Sequence, residues 1–423
     1  MSRLFIALLA CTAAFGQQDT LHLTLDEAEK LAVQNNPRFA ASKFTAAAAA
    51  QVPSELRAAY QPSVVGSLTG VGADSGSRLA AGGLNNPVVY NRLGSGLSLN
   101  QMISDFGRTG QLVESAKLRA EAQNELAQSS RADIVLITDR AYFEVLRAQV
   151  LLKVAQQTVS ARQVVADQVS ALAQSKLKST LDVSFANVNL ADARLQLANA
   201  QNRLNAAMAE LATAMGIPGQ TSFTLDEAPN PDPLPDTVQP LVNEAIQHRP
   251  ELAGIRLEQS AAQRFLEAEK DLVRPSVGIV ATAGFVPAGQ ETIPGRFGAL
   301  GVNVNIPVFN GGLFKARRTE AELRAQAAGQ NVKDLENRIA RDVRVTYLDA
   351  MNASDRIALT QQLLDQARLA MELAQSRYDL GLSSIVELTQ AQLNLTSAEI
   401  ATAGARYDYQ TRRAVLDYTV GRK

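Results

Sequence analysis

The sequence feature that most constrains the fold is a stretch without helix breakers. Residues Gln111 to Met215 include neither glycine nor proline, and a second stretch, Leu313 to Val420, has no proline. Both are rich in the residues that cost least in a helix. A single helix of the first stretch would be about 160 Å long at 1.5 Å per residue. No ordinary globular core buries such a helix, so we expect it to fold back on itself or to belong to something very elongated.

The apolar residues in the second half of this stretch repeat every seven positions, in alternating steps of four and three. Such a seam faces a partner helix only when the two helices supercoil left-handedly. The alanines in the seam indicate close approach of the two backbones. The seam residues are Ala186, Leu190, Ala193, Leu197, Ala200, Leu204, Ala207 and Leu211.

The first 16 residues are typical of a secretory signal peptide. Arg3 precedes an apolar run, Leu4 to Ala14, and Ala14-Phe15-Gly16 fits a cleavage site. An alternative interpretation takes the residues up to Cys11 as a lipobox, with Cys11 bearing a lipid. Without lipidation the mature chain has no cysteine, which excludes redox chemistry and thiolate metal sites. No later run of 18 apolar residues predicts a transmembrane helix.

Composition and motifs argue against a catalyst or a nucleic-acid-binding protein. The formal net charge is −1, so no anionic partner is indicated. Only two histidines exist, and no zinc-protease, Walker or nucleophile-elbow motif occurs in a suitable context. We therefore expect no enzyme activity, no cofactor and no metal site.

Short motifs recur at a constant separation and indicate an internal tandem duplication. Asn35-Asn36-Pro37 returns as His248-Arg249-Pro250, and further matches include Tyr142 with Tyr347 and Gly216 with Gly421. We expect a first repeat over residues 17–228 and a second over 237–423. A proline-rich stretch, residues 229–236, is predicted to be a stiff linker between them.

Each repeat contains a segment in which the hydrophobic period changes from helical to two. These segments predict β-hairpins over residues 62–103 and 275–307. Strands of about ten residues with one apolar face have the length that crosses a bilayer in a β-barrel, although a half-buried sheet in a soluble domain has the same periodicity. Four strands cannot close a barrel, since about eight are needed. If these strands span a membrane, several chains must share one barrel.

After each hairpin we expect a long helix, a turn near 176–181 or 379–384, and a shorter helix. The initial helix, about 25–59, should break or bend at Pro37 and Pro53. The predicted fold is thus mainly α, with long coiled-coil hairpins and four β-strands per chain.

The order of these motifs resembles that of the TolC-like outer-membrane efflux proteins. The similarity covers nearly the whole mature chain and is most evident in Leu25-Asp26-Glu27-Ala28, in Ile306-Pro307-Val308-Phe309-Asn310-Gly311-Gly312, and in the segment from Arg377 to Leu388. The resemblance implies a homotrimer with a twelve-stranded barrel in outer-membrane lipid and a helical tunnel across the periplasm. It also implies a periplasmic adaptor (membrane fusion protein) and an inner-membrane pump as partners, in efflux or type I secretion of small molecules, metal ions or proteins.

The resemblance also assigns roles to residues at the two turns. A periplasmic gate or constriction would include Asp182, Tyr378, Glu387 and Gln390, with Glu387 in the place of an acidic ring. Gln390 replaces an acid often found there, and Ser383 stands where some members have an arginine, so neither a second acidic ring nor an ionic lock is expected. Gly381, Leu382 and Ser383 would form the tip that an adaptor grips. The alternative, purely structural roles are a solvent-exposed acid at the start of a helix for Glu387 and a helix cap for Asp182.

Two other classes of protein share some of these features. A soluble periplasmic coiled-coil adaptor or scaffold also has helical hairpins, but adaptors have one hairpin between β-domains rather than a tandem duplication. A secreted enzyme with a helical insert would need a catalytic constellation, which the sequence does not offer.

Overall fold

The computed structural model describes residues 21–72, 74, 92–219, 223–229, 231, 233–288 and 295–423. The predicted signal peptide, Cys11, most of both hairpin tips and parts of the predicted linker lie outside the described residues. The described chain is predominantly helical with few strands, which confirms the predicted fold class. Among these residues no helix is both long enough and apolar enough to cross a membrane.

Two of the helices are much longer than the others. The long ones are α4 (Arg108–Gln174) and α8 (Leu313–Asp379), each of 67 residues, and they are followed by α5 (Thr180–Ala214) and α9 (Ile385–Val420). The remaining helices are α1 (Leu25–Asn35), α2 (Pro37–Ala49), α3 (Val52–Arg57), α6 (Gln239–His248) and α7 (Pro250–Lys270).

The predicted break at Pro37 is present. Asn36 has an extended ψ of 120° between α1 and α2, and Arg249 has a ψ of 119° between α6 and α7. Both residues precede a proline, whose ring disfavours the helical conformation of the residue before it. The same local rule therefore interrupts both helices at matching points of the sequence.

The chain divides into two compact units. The first comprises residues 1–36, 134–235 and 347–416, and the second comprises 37–133, 236–346 and 417–423. Each unit takes residues from both predicted repeats, and α4 and α8 contribute to both units.

The first unit contains a pair of strands that the sequence analysis missed. Strand β1 (Leu21–Leu23) pairs in parallel with β4 (Phe223–Leu225). The Tyr142 hydroxyl donates to the carbonyl oxygens of Leu23 at 3.0 Å and Asp226 at 2.6 Å. This tyrosine, fully buried, fixes the short pair against α4. Three-residue strands are too short to show a periodicity, so only their hydrogen bonds reveal them.

The second unit contains a four-stranded antiparallel sheet in the order β2-β3-β5-β6. Its strands are β2 (Ser63–Val71), β3 (Arg92–Ser104), β5 (Ser276–Ala288) and β6 (Arg296–Asn305). Strand β6 pairs with β5 along its whole length, from Asn305 opposite Ser276 to Arg296 opposite Phe285. The two predicted hairpins thus join through β3 and β5 into one sheet.

A buried carboxylate holds the starts of the long helices beside this sheet. Glu269 of α7 is 2% exposed and lies 3.6 Å from the Arg108 guanidinium and 3.1 Å from that of Arg317. Arg108 opens α4, and Arg317 lies in the first turns of α8. A buried charge needs such oppositely charged neighbours. The two ion pairs connect α7 to the first turns of α4 and α8, although neither Glu269 oxygen forms a hydrogen bond within the described residues.

Candidate functional site at the helix turns

The two turns that connect a long helix to a short one have the same backbone geometry. Lys176 has a φ of 60° and Gly381 a φ of 73°, both in the left-handed region. The N–H of Leu177 donates to Leu172 O at 2.9 Å, and that of Leu382 donates to Arg377 O at 2.8 Å. These bonds are those of the Schellman motif, which ends a helix by satisfying its last carbonyls. Both turns belong to the first compact unit.

The acidic residues in the first turns of the two following helices, Asp182 of α5 and Glu387 of α9, make different contacts. At α5, Ser179 Oγ accepts from Asp182 N at 3.2 Å while Asp182 Oδ2 accepts from Ser179 N at 3.0 Å. This reciprocal pair is a capping box. Asp182 is therefore occupied in capping its own helix, which is the structural alternative considered from the sequence, although the cap residue itself is Ser179.

Glu387 has another partner. Its N–H donates to Ser384 Oγ at 3.3 Å, but its carboxylate lies 3.5 Å from Arg377 Nε at the end of α8. Both side chains are about half exposed. Asp182 and Glu387 thus occupy matching positions after the two turns, yet only the Glu387 carboxylate pairs with a cation across its turn.

Tyr378 is buried between the helices that meet at the turns. It is 3% exposed and belongs to an apolar cluster with Val169, Leu190 and Leu388. Its hydroxyl is buried without a hydrogen-bond partner in the described structure. The Lys178 ammonium lies 4.3 Å from the ring centroid, within cation–π range.

Burial raises the pKa of the Tyr378 hydroxyl, and the carboxylates of Asp182 and Asp379 raise it further. The phenol, neutral at physiological pH even at its ordinary pKa, thus becomes still harder to deprotonate. Tyr378 therefore acts here as an apolar side chain that also receives a lysine on one face of its ring.

The remaining predicted site residues are exposed or satisfied within one helix. Gln390 donates to Asn394 Oδ1 at 2.9 Å, one turn later on α9. Around Gly381 a Cβ atom would meet nothing within 4 Å, and Leu382 is 67% exposed. Ser383 Oγ, in contrast, is buried without a described hydrogen-bond partner.

The sequence analysis did not predict two contacts at this site, Arg377 with Glu387 and Lys178 with Tyr378. Neither pair follows a helical spacing, because each is joined across a turn or between helices. From the sequence, the tandem duplication was the signal that these segments lie in equivalent turns, and the left-handed φ angles of Lys176 and Gly381 agree with it.

The sheet of the second unit is a further candidate surface. Its register places Leu300 beside Ala281, and Ala281 beside Leu99, which pairs with Val64 on the far strand. Since side chains alternate across a strand, these residues share one face. That face is apolar and exposed in the single chain, as Leu300, Val302, Leu97 and Leu68 show. The opposite face is mostly small or polar, with Asn303, Thr282, Ser98 and Ser67.

Within the described residues nothing covers the apolar face of β6, all of whose residues are exposed. The two outer strands, β2 and β6, each pair with only one described neighbour.

Comparison with known proteins gives consistent matches along the chain. The sequence model of a family described as outer membrane efflux protein matches residues 29–217 and 241–422. The outer membrane protein TolC of Salmonella enteritidis is 23% identical over 419 residues, which cover 94% of this chain and 83% of that protein. The alkaline protease secretion protein AprF of Pseudomonas aeruginosa is 25% identical over 437 residues, covering 100% of this chain and 89% of AprF.

Among solved structures, CusC, whose crystal structures concern folding and transmembrane channel formation, superimposes with a TM-score of 0.81 at 18% identity. The superposition covers 94% of this chain and 92% of CusC. At this identity the likeness establishes the fold.

Proposed function

Because the chain belongs to the outer membrane efflux protein family, we propose that it is an outer-membrane channel through which cargo leaves the periplasm. It would serve a tripartite efflux system or a type I secretion system, as the names of its relatives TolC and AprF suggest for those proteins. The tandem arrangement of two hairpins and two long helices favours this function over that of a soluble coiled-coil adaptor.

The observation that most supports the proposal is the open four-stranded sheet with one apolar, exposed face. In lipid, every backbone N–H and C=O needs a partner within the protein, so free sheet edges are not tolerated. The free edges of β2 and β6 must therefore pair with other copies of the chain. Three copies would give twelve strands, enough to close a barrel. We accordingly infer a homotrimer whose apolar face contacts outer-membrane lipid.

The turns are then the periplasmic entrance. The residues proposed for the constriction, Asp182, Tyr378, Glu387 and Gln390, would lie where the helices narrow the tunnel. An adaptor linked to an inner-membrane pump would dock at Gly381, Leu382 and Ser383, and the exposed leucines at 177 and 382 offer it apolar contact area. The chain itself would be a passive conduit rather than an enzyme, with energy supplied by the pump.

Membrane fractionation followed by single-channel recording in planar bilayers tests this function. We expect detergent-extracted trimers with a measurable conductance. Val302→Asp places a charge on the apolar face and should impair insertion, since a charged side chain on the lipid face destabilises a transmembrane barrel. The matched control, Asn303→Asp, adds the same charge on the opposite face of β6 and should insert normally. A soluble monomer without conductance, or equal insertion of both variants, would reject the proposal.

A further inference from the structure

A cavity of about 390 Å³ lies among helices α4, α5 and α9, within the first compact unit. Its volume is in the range of sites for small organic ligands. The walls are held by contacts at two places. Asn189 of α5 donates to Thr389 Oγ1 of α9 at 3.1 Å, and Arg203 of α5 donates twice to Glu144 Oε1 of α4, at 2.8 and 2.7 Å. These side-chain hydrogen bonds therefore connect the three helices around the cavity, and they require no ligand.

One side chain in this cavity lacks the partner that its chemistry requires. Arg162 is 5% exposed, and its Nη1 atom is buried with no hydrogen-bond partner in the part of the chain that the structure describes. The described residues form no ion pair with its guanidinium. A buried charge without a partner costs several kcal/mol. Arg203, which also lines the cavity, is in contrast already satisfied by Glu144.

The acidic residue that lines the cavity, Asp192, does not neutralise Arg162. Asp192 also lines the cavity, but its carboxylate accepts from Gln196 Nε2 at 2.7 Å and forms no ion pair with Arg162. Burial lowers the pKa of Arg162, while the charge of Asp192 opposes that shift. The guanidinium nevertheless stays charged in proteins, because an arginine is not deprotonated at physiological pH.

The rest of the lining limits what the partner can be. Leu151, Val154, Leu393 and Ile400 provide apolar wall beside the guanidinium. An inorganic anion would leave these side chains facing water, whereas a ligand with an apolar body would cover them. A carboxylate matches the planar fork of an arginine and forms charge-assisted bonds with it.

We propose that this cavity is a binding site for a small organic anion, with its carboxylate paired to Arg162 and its apolar body against α4 and α9. The site lies between helices of a single chain and goes beyond the proposed role as a duct, since occupancy of the cavity does not require transport. Binding would also tie together the three helices that line it.

The test is titration calorimetry of the purified full chain with 1-naphthoate, a carboxylate on a rigid apolar body. We expect saturable binding to the natural chain and at least about tenfold weaker binding to Arg162→Gln, because a charge-assisted hydrogen bond is lost. Arg162→Lys, which keeps the charge but not the fork, should lie between them. The neutral analogue 1-naphthalenemethanol should bind weakly to all three.

Arg194→Gln is the matched control, since Arg194 is an exposed arginine of α5 that bonds Gln163 and does not line the cavity. It should bind 1-naphthoate as the natural chain does, and detergent partitioning is common to every sample. Absence of saturable binding to the natural chain, equal binding by Arg162→Gln, or equal binding of the neutral analogue would overturn the proposal. Bilayer conductance of the same preparations separates this result from the channel function.

Discussion

Gly216 lies so close to Asn35 that a Cβ atom on Gly216 would be 2.7 Å from the carbonyl oxygen of Asn35. Gly421 has the corresponding relation to the second break, with a Cβ distance of 3.2 Å to the nitrogen of Arg249. Both glycines have positive φ, 71° and 88°. Two of the motifs that recur in the sequence are therefore in contact within each repeat. Asn-Asn-Pro contacts Gly216, and His-Arg-Pro contacts Gly421.

This contact predicts unequal effects of the same substitution. Gly216→Ala should lower the free energy of unfolding by about 2–4 kcal/mol, since a Cβ meets main chain at below contact distance and the left-handed conformation adds its own cost. Gly421→Ala should cost about 1–2 kcal/mol, because its neighbours need to move less. Thermal unfolding followed by circular dichroism at one scan rate compares the two variants. Equal melting temperatures would contradict the conclusion that Gly216 is more closely packed than Gly421.

The two turns predict opposite effects at matching positions. Lys176→Gly removes the cost of about 1 kcal/mol that a non-glycine residue bears in the left-handed region, whereas Gly381→Ala introduces it. Hydrogen exchange at the amides of Leu177 and Leu382, which close the turns, should slow in the first variant and accelerate in the second. If Lys176→Gly instead accelerates exchange, the Schellman geometry at that turn is wrong.

The Arg377–Glu387 pair predicts the ion selectivity of the proposed channel. If Glu387 lines the constriction, Glu387→Gln should reduce cation preference, because a carboxylate at a narrow mouth attracts cations. Arg377→Gln should raise cation preference, since it removes a positive charge and frees the carboxylate. Reversal potentials across a potassium chloride gradient measure both, and selectivity unchanged in both variants would exclude Glu387 from the constriction.

The hydroxyls of Tyr142 and Tyr378 differ in hydrogen bonding and therefore predict different outcomes of one substitution. Tyr142→Phe leaves the carbonyl oxygen of Asp226 without the tyrosine donor, while that of Leu23 keeps the backbone N–H of Asp226, and it should cost about 1–3 kcal/mol. Tyr378→Phe removes a hydroxyl that has no described partner and should be neutral or stabilising by up to about 1 kcal/mol. Melting temperatures of the two variants measure these effects. A larger loss of stability for Tyr378→Phe than for Tyr142→Phe would show that the Tyr378 hydroxyl has a partner in the assembled protein.

Buried tyrosines predict a loss of stability in alkali. Burial first, and then the Asp226 charge, raise the pKa of Tyr142 from its ordinary value of 10.0 to about 12. Below pH 10 the hydroxyl is protonated in both folded and unfolded chains; between pH 10 and 12 only the unfolded chain loses the proton, so stability should fall. Tyr418, whose pKa is also about 12 through burial and Asp133, should add to this loss.

Melting temperatures between pH 9 and pH 12 measure the effect. Tyr142→Phe, although less stable at pH 9, should show a shallower decline than the natural chain, and so should Tyr418→Phe. If the melting temperatures of both variants fell as steeply with pH as that of the natural chain, groups other than these tyrosines would control alkaline unfolding.

Local rules predicted much of this fold from particular residues. The absence of breakers from Gln111 to Met215 predicted the long helix, and the prolines at 37 and 250 mark the two breaks. Alternation in residues such as Val302 and Val304 predicted a strand and the side chains that share a face, since successive side chains point to opposite faces of a sheet. The strands β1 and β4 were missed because three residues contain too little pattern.

The sequence by itself determined which segments are helix or strand and where they turn, because backbone conformation depends on neighbouring residues through sterics and hydrogen bonding. Only the tertiary structure decided that Glu387 pairs with Arg377 while Asp182 caps its own helix, and that Arg162 is buried beside a cavity with its Nη1 atom unpartnered among the described residues. Such relations depend on distances between side chains brought together by turns and packing. Those distances arise from the sum of many contacts, and no spacing in the chain encodes them.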